Sequence, residues 1–441
     1  MNNKKLYLII GGVVLVIFFV VVFLIVGNIG GGTGQKVTLS FWGVYDDRNA
    51  FERVIQNFQT ANPSIKIIYT LMPYEGYEQE LVNALAAGTG PDIFMIQHTW
   101  LPKHGDKLVA LPAKIPGEKQ PLMTAKSFRD QYVDVAYDDL VQNDQIYALP
   151  LYVDTLGLYY NRDLFNTANI TRPPQNWDEF NTDVELLTKL DSYGNIIQSG
   201  ATIGTAKNIN RSTDILMSLM LQSGTNMVDT DRTQATFGAN VDGMAVGERA
   251  LKYYTDFANP AVKTYCWNDS QHYSVDAFTE GTAAMMINYS HQVANLNAKA
   301  SKLNFGIAPL PQISNTDIKN YANYWAVAVA NKSQSPNEAW KFITYLTSKE
   351  GATAYLADTN RPSARRDILE LQKQDDNLDV FASQALTAKS WYQVDAPSIE
   401  TIFANMIDDV NFHRQSTRDA IQSAESKVSV LMSQQRNRDG Q

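Results

Sequence analysis

The alternation of Val37, Leu39 and Phe41 with polar neighbours, followed by Phe51, Val54, Ile55 and Phe58 at helical spacing, constrains this chain more than any other stretch. The first pattern has the two-residue period of a half-buried strand, and the second places four apolar side chains on one helical stripe. Asn62-Pro63 ends the helix, and Ile65 to Leu71 supplies a second strand. The unit is therefore βαβ. In an open α/β sheet, ligands lie outside the carboxyl ends of the strands. The loop carrying Trp42, Tyr45, Asp46 and Asp47 is accordingly the first candidate site.

At 441 residues the chain exceeds what one hydrophobic core usually serves, so two lobes are expected. A net charge of −9 argues against a nucleic-acid partner, which would need a basic surface. Leu6 to Val26 carries no charge and follows Lys4 and Lys5. About 20 apolar residues span a bilayer core of roughly 30 Å, whereas the apolar region of a cleavable signal is only about 7 to 15 residues long. The run reads as an uncleaved single-pass anchor with the lysines inside and everything after Gly27 outside; a long but cleaved signal is the alternative. Gly30-Gly-Gly-Thr-Gly34 then forms a flexible tether. Cys266 is the sole cysteine, so no intramolecular disulfide and no CxxC metal site is possible, and no acyl anchor is available at the end of the apolar run.

Further along, Tyr74 to Ala87 reads as a helix ended by Gly88, and Pro91 to Ile96 as a buried strand leading into Gln97-His-Thr-Trp100. Parallel pairing would bring the Trp42 and Trp100 loops to one crevice. Asp92, at a strand start, reads as a structural turn contact, and Asp191 to Asn195 as a hairpin turn. Ile146 to Tyr160 and Phe305 to Pro311 are extended passages that would cross between lobes, and two such crossings make a hinge. Ser335-Pro-Asn-Glu338 is a helix start with Ser at N-cap, Pro at N1 and Glu at N3. Trp177 and Trp340 sit in helical patterns and are assigned to the core.

Five landmarks carry a family likeness: Phe41-Trp42 with its helix ending at Phe58 and Asn62-Pro63; Ala84-Leu-Ala-Ala-Gly-Thr-Gly-Pro-Asp-Ile-Phe94; Ala148-Leu-Pro-Leu-Tyr152 with Tyr160-Asn-Arg-Asp-Leu-Phe165; Phe278-Thr-Glu-Gly-Thr-Ala-Ala-Met285; and Ser335-Pro-Asn-Glu-Ala-Trp-Lys-Phe342. In this order they resemble the bacterial extracellular solute-binding proteins of the maltose-binding type, the capture components of ABC sugar importers. The resemblance implies a two-lobed α/β periplasmic-binding-protein-like fold of type II behind an N-terminal transmembrane helix. The lobes would comprise 36–150 plus 309–365 and 151–308 plus 366–441, after an anchor and tether at 1–35. It also implies a monomer that uses no cofactor or metal, closes on a mono- or oligosaccharide outside the cytoplasm, and delivers it to permease subunits.

By position in the family, the ligand-binding residues fall on Trp42, Tyr45, Asp46, Gln97, Trp100, Tyr152, Asp154, Asn210, Asn288, Tyr289, His291, Trp325 and Arg361. Which of Tyr289 and His291 points inward is left open. A sugar packs its C–H faces on aromatic rings and needs paired donors and acceptors for its hydroxyls, and this set offers both. Catalysis has little support: the five histidines show no metal-ligand spacing, and no nucleophile elbow or phosphate loop is present. A surface-anchored polysaccharide-processing enzyme and a sensor that presents ligand to a receptor are the alternatives.

Overall fold

The computed structural model describes residues 36–439. The proposed anchor Leu6 to Val26 and its tether lie outside the described residues. Among the described residues, no helix is long and apolar enough to cross a membrane.

The βαβ unit forms as its pattern dictates. Val37–Gly43 pairs in parallel with Ile65–Leu71 along its whole length, from Val37 opposite Ile65 to Gly43 opposite Leu71. Between them runs the helix Arg48–Ala61, which buries Ala50, Phe51, Val54, Ile55 and Phe58 against the sheet. Asp47 is its N-cap, accepting from the Asn49 amide at 2.9 Å, and Phe41 meets Phe51 edge-on with ring centroids 5.1 Å apart. Ile93–Gln97 joins the other side of Val37–Gly43 in parallel; Trp325–Val329 and then Ala148–Pro150 extend the sheet antiparallel. The late strand Trp325–Val329 is buried along its whole length and returns the chain to its first core.

A second core surrounds an antiparallel sheet in which Gly157–Asn161 is flanked by Met285–Asn288 and Phe305–Pro309. Trp177, Trp267 and the helix Ser212–Gln222 pack there, together with Ala396–Asn411 and apolar residues of Thr417–Asp439. Trp340 is fully buried in the first core.

Between the cores lies a small sheet of three short strands, Asp154–Thr155, Asn320–Asn323 and Ala388–Lys389. The first continues Ala148–Pro150 toward Gly157–Asn161, as expected of the first extended passage. Phe305–Pro309 is itself a strand of the second sheet, so the return crossing is made downstream, by Asn320–Asn323. A third crossing at Ala388–Lys389 has no counterpart in the sequence reading, since a strand of two residues is too short to show a period. Ile368 and Leu369, which precede it, pack into the first core.

Other local expectations shift by small amounts. The helix expected from Tyr74 begins at Tyr77, because Gly76 adopts φ +79° and releases Tyr74 into the preceding loop. Gly88 closes that helix in the left-handed region. Ser335 does precede the helix Pro336–Leu346, but its side chain makes no cap bond. Asp92 is structural: its Oδ2 accepts from the amide and hydroxyl of Ser40 at 2.9 Å, and its Oδ1 from Ser333 at 2.7 Å.

Candidate functional site

The parallel strands deliver their outgoing loops to one edge of the first sheet, where five aromatic rings meet. Tyr45 follows the first strand, Tyr74 the second and Trp100 the third, while Trp325 begins the antiparallel strand directly opposite Gln97. Tyr45 stacks on Tyr74 at 4.9 Å and meets Trp325 edge-on at 5.8 Å. Trp325 also contacts Trp100 at 5.4 Å and Tyr77 at 6.1 Å. Each such pair contributes about 0.5–1.5 kcal/mol beyond the burial of its area. Trp100 and Trp325 are buried, whereas Tyr45 and Tyr74 are exposed by 49% and 55%, so these two rings are the ones a ligand could reach.

The Tyr45 loop is held firmly. The Tyr69 hydroxyl donates to the Asp46 carbonyl, and Gly43 makes room for that ring, since a Cβ there would lie 2.5 Å from the Tyr69 oxygen. Tyr45 itself sits at φ +66°, an uncommon conformation for a bulky residue that costs on the order of 1–3 kcal/mol and concentrates at binding sites. Beside it, Asp46 receives a fork from Arg361, at 2.7 and 3.3 Å, and a hydrogen bond from the Tyr355 hydroxyl at 2.7 Å. Burial pushes the Asp46 carboxyl up, while the guanidinium and Tyr355 hold it back. The bidentate geometry marks an ionised pair. The Arg361 guanidinium in turn lies 4.4 Å over the Tyr152 ring.

The opposing wall comes from the second lobe. Arg211 precedes the helix Ser212–Gln222 at φ +65°, a second left-handed non-glycine. Its guanidinium lies 5.5 Å over the Tyr289 ring, and its buried Nε has no hydrogen-bond partner. Arg211 is within electrostatic reach of both Tyr45 and Tyr152, which places it across the cleft from the aromatic cluster. Tyr289 is buried and donates to Asp214 at 2.8 Å. His291 stacks alongside it at 6.2 Å. Burial, with Arg211 and Arg361 nearby, pushes the His291 imidazole down to about 4, so it is neutral at pH 7.

The residues singled out from sequence thus divide. Tyr45, Gln97, Trp100 and Trp325 gather at the sheet edge, and Tyr152, His291 and Arg361 lie close by. Asn210 accepts from Asn288 at 3.0 Å and donates to Tyr273 at 2.7 Å, so the two asparagines brace the second wall. Asp154 is fully engaged: its two oxygens accept from the Ser290 amide and hydroxyl and from the Thr155 amide, at 2.7 to 3.2 Å. In this structure it fastens the hinge to the second lobe, and burial pushes its carboxyl up to about 6 against those hydrogen bonds. Trp42 is half-buried against the first core, on the face of its strand opposite Phe41. No ring contact joins it to the cluster among the described residues. Tyr74 is the addition that sequence reasoning missed, and Arg211 comes from the same loop, Asn208 to Ser212, that supplied the candidate Asn210. Gly76 was the available signal for Tyr74, because it ends the helix pattern before that ring. No group of three or more His, Cys, Asp or Glu among the described residues is placed to hold a metal ion.

The sequence profile of the bacterial extracellular solute-binding proteins matches residues 44–353, well over half of the chain. The chain belongs to that family. The binding domain of this extracellular solute-binding protein is therefore extracytoplasmic. Its relatives include a binding protein of Brucella abortus, 25% identical over 357 residues that cover 80% of this chain and 81% of the relative. A maltodextrin-binding protein of Bacillus subtilis is 26% identical over 347 residues, covering 75% of this chain and 74% of the relative. Among solved structures, the cyclic alpha-maltosyl-1,6-maltose binding protein of Arthrobacter globiformis superposes with a TM-score of 0.75 at 20% identity, over 90% of this chain and 99% of that one. The mixed α/β architecture is thus that of the sugar-binding proteins of this family.

Proposed function

We propose that this solute-binding protein captures a neutral carbohydrate between its two lobes and presents the closed form to the permease subunits of an ABC importer. The observation that carries the reading is the pairing of an accessible aromatic surface, Tyr45 and Tyr74, with Arg211 on the facing wall, whose Nε makes no hydrogen bond. Rings suit the C–H face of a sugar, and a guanidinium with free donors suits its hydroxyls. The sugar-binding relatives support the same ligand class. A neutral ligand is favoured because Arg211 and Arg361 already face the carboxyls of Asp46, Asp154, Asp214 and Glu400. An added anion would meet more negative than positive charge.

Capture without turnover is supported by the state of those carboxyls. Asp46 is held by Arg361 and Tyr355, Asp154 by Ser290 and Asp214 by Tyr289, so three of the four cleft carboxyls are engaged in internal hydrogen bonds. Closure follows from contacts on both lobes: a ligand that touches both binds the closed arrangement better and shifts the population toward it. We assign the lobes to 36–150 plus 309–365 and to 151–308 plus 366–441; the packing of Ile368 and Leu369 in the first core supports carrying the first lobe further, toward the third crossing. The chain acts as a monomer held at the extracytoplasmic face of the cell membrane by Leu6 to Val26, a reading supported by the length and lack of charge of that run.

A thermal-shift screen against neutral mono- and oligosaccharides tests the function, because a ligand bound only by the folded state raises the midpoint. A rise with a neutral sugar is expected. A rise with anionic solutes alone would overturn the reading, as would release of cleaved sugar.

A further inference from the structure

A cavity of about 580 Å³ opens beside the third crossing, walled by the helix Asp134–Leu140 of the first lobe and by a turn of the second lobe that carries Arg232. Ser390 and Trp391, which follow the crossing, line it as well. None of Tyr45, Tyr74, Trp325 or Arg211 does, so it is separate from the sugar cleft. The volume is that of a small-molecule site.

Two charges of opposite sign face this space unanswered. The side chains of Asp138 and Arg232 are exposed and make no hydrogen bond or ion pair among the described residues, and the Arg232 guanidinium rests 5.2 Å over the Tyr392 ring. Arg232 is within electrostatic reach of Asp138 and of Asp139, yet it pairs with neither. Asp139 is engaged: it accepts from the Tyr324 hydroxyl at 2.8 Å and from the Ser390 hydroxyl, and burial pushes its carboxyl up to about 7. Burial also raises Asp138, against Lys389 and Arg129, but neither of those cations lines the cavity. The other charges on the wall are satisfied, Lys103 by Glu78 and Asp395, and Asp106 by Lys107. The wall also holds an orphaned hydroxyl. Thr99 is 7% exposed and its Oγ1 has no hydrogen-bond partner; a hydroxyl donates or accepts, so either end of a ligand can satisfy it.

We infer that this cavity is a second binding site, for a small dipolar ion of the amino-acid kind, whose ammonium faces Asp138 on one lobe and whose carboxylate faces Arg232 on the other. A molecule with one charge answers only one wall. A molecule that answers both touches both lobes, so it favours the arrangement in which they are near and acts as an effector of sugar capture.

The test is titration calorimetry of the sugar-free protein with glycine, β-alanine, γ-aminobutyrate and ε-aminocaproate, which step the separation of the two charges, beside butylamine and butyrate, which carry one charge each. One member of the series should bind at least tenfold tighter than either single-charge compound. Asp138→Asn and Arg232→Gln should each weaken it at least tenfold, and Thr99→Val, which keeps the shape and removes the hydroxyl, several-fold, with thermal melts confirming that the variants fold. The bound ion should raise sugar affinity, and sugar should raise affinity for the ion by the same factor. No binding across the series at millimolar concentration, equal binding of a single-charge compound, or affinities untouched by Asp138→Asn and Arg232→Gln overturns the site. Binding without coupling to sugar overturns the effector role. The direct titration needs no sugar, so it reads the site even where the carbohydrate reading fails.

Discussion

Lys103 Nζ lies 2.8 Å from the carboxylate of Asp395 and 2.7 Å from that of Glu78, and the three side chains are each only about a quarter exposed. Glu78 opens a helix of the first lobe, whereas Asp395 caps Ala396–Asn411 of the second by accepting from the Ser398 amide at 3.0 Å. Burial alone would raise the Glu78 carboxyl, but His104 and Lys103 hold it below its ordinary range, and Lys103 with the Ser398 amide does the same for Asp395. The ammonium therefore ties the lobes together when they are near.

Removing that tie should favour the open arrangement. A partly exposed ion pair contributes about 0.5–1 kcal/mol, so Lys103→Met should weaken ligand binding about two- to five-fold by titration calorimetry. The salt dependence of affinity should flatten as well. An unchanged affinity at low salt would show that the pair does not assist closure.

Substituting the aromatic residues should separate binding from stability. Tyr74 is 55% exposed, so Tyr74→Ala should change the melting temperature little and lower sugar affinity several-fold. Trp325 is 4% exposed and packed among Tyr45, Tyr77 and Trp100. Trp325→Ala should therefore destabilise the protein by about 3–5 kcal/mol, measured by urea denaturation, whatever it does to binding. The resemblance places Trp325 among the ligand-binding residues; its burial makes it a core residue as well.

These contrasts show what the residues could disclose in advance. Val37, Leu39 and Phe41, with the stripe Phe51 to Phe58, specified the opening unit because local periodicity is enough to set a strand and a helix. The strand ends, and so the edge where Tyr45, Trp100 and Trp325 meet, followed from that unit. The accessibility of each ring did not, because it depends on which neighbours stack against it. The engagement of Asp154 by Ser290 and of Asn210 by Asn288 joins residues far apart in the chain, as does the fork between Asp46 and Arg361. No local pattern announces such pairs. The Ala388–Lys389 crossing stayed hidden for the opposite reason, being too short to form a pattern at all.

His98 should make stability sensitive to acid. It is 3% exposed, its ring stacks on Tyr324 at 4.6 Å, and burial pushes its imidazole down to about 4. In the unfolded chain the group titrates near 6.5. Above that pH both states are neutral and the contribution is fully present. As pH falls from about 6.5 to about 4, the unfolded chain takes up a proton that the folded one refuses, and stability on the order of 3 kcal/mol is lost. Asp154, pushed up to about 6, acts in the opposite sense over part of that window, since its folded form binds a proton first. The measurement is therefore the difference between wild type and His98→Phe in urea midpoints from pH 7.5 to 4. That difference should shift toward the variant as pH falls, and a constant difference would show that His98 takes up its proton as readily in the fold as in the unfolded chain.

Arg211 offers the sharpest division between a binding role and a structural one. Its buried Nε makes no hydrogen bond, and its guanidinium rests over Tyr289 at 5.5 Å. Arg211→Gln removes no internal hydrogen bond from that nitrogen but does remove the charge facing Asp214 and Glu400, so the melting temperature of the free protein should fall only modestly. A hydrogen bond from a charged donor to a ligand is worth about 1.5–3 kcal/mol, so sugar affinity should fall about ten- to a hundred-fold. Arg211→Lys should not restore it, because an ammonium lacks the planar fork and stacks less well on a ring. Calorimetry on both variants beside a thermal melt decides the matter: lost stability with retained affinity would make Arg211 a packing residue of the second lobe, and lost affinity with retained stability would place it on the ligand.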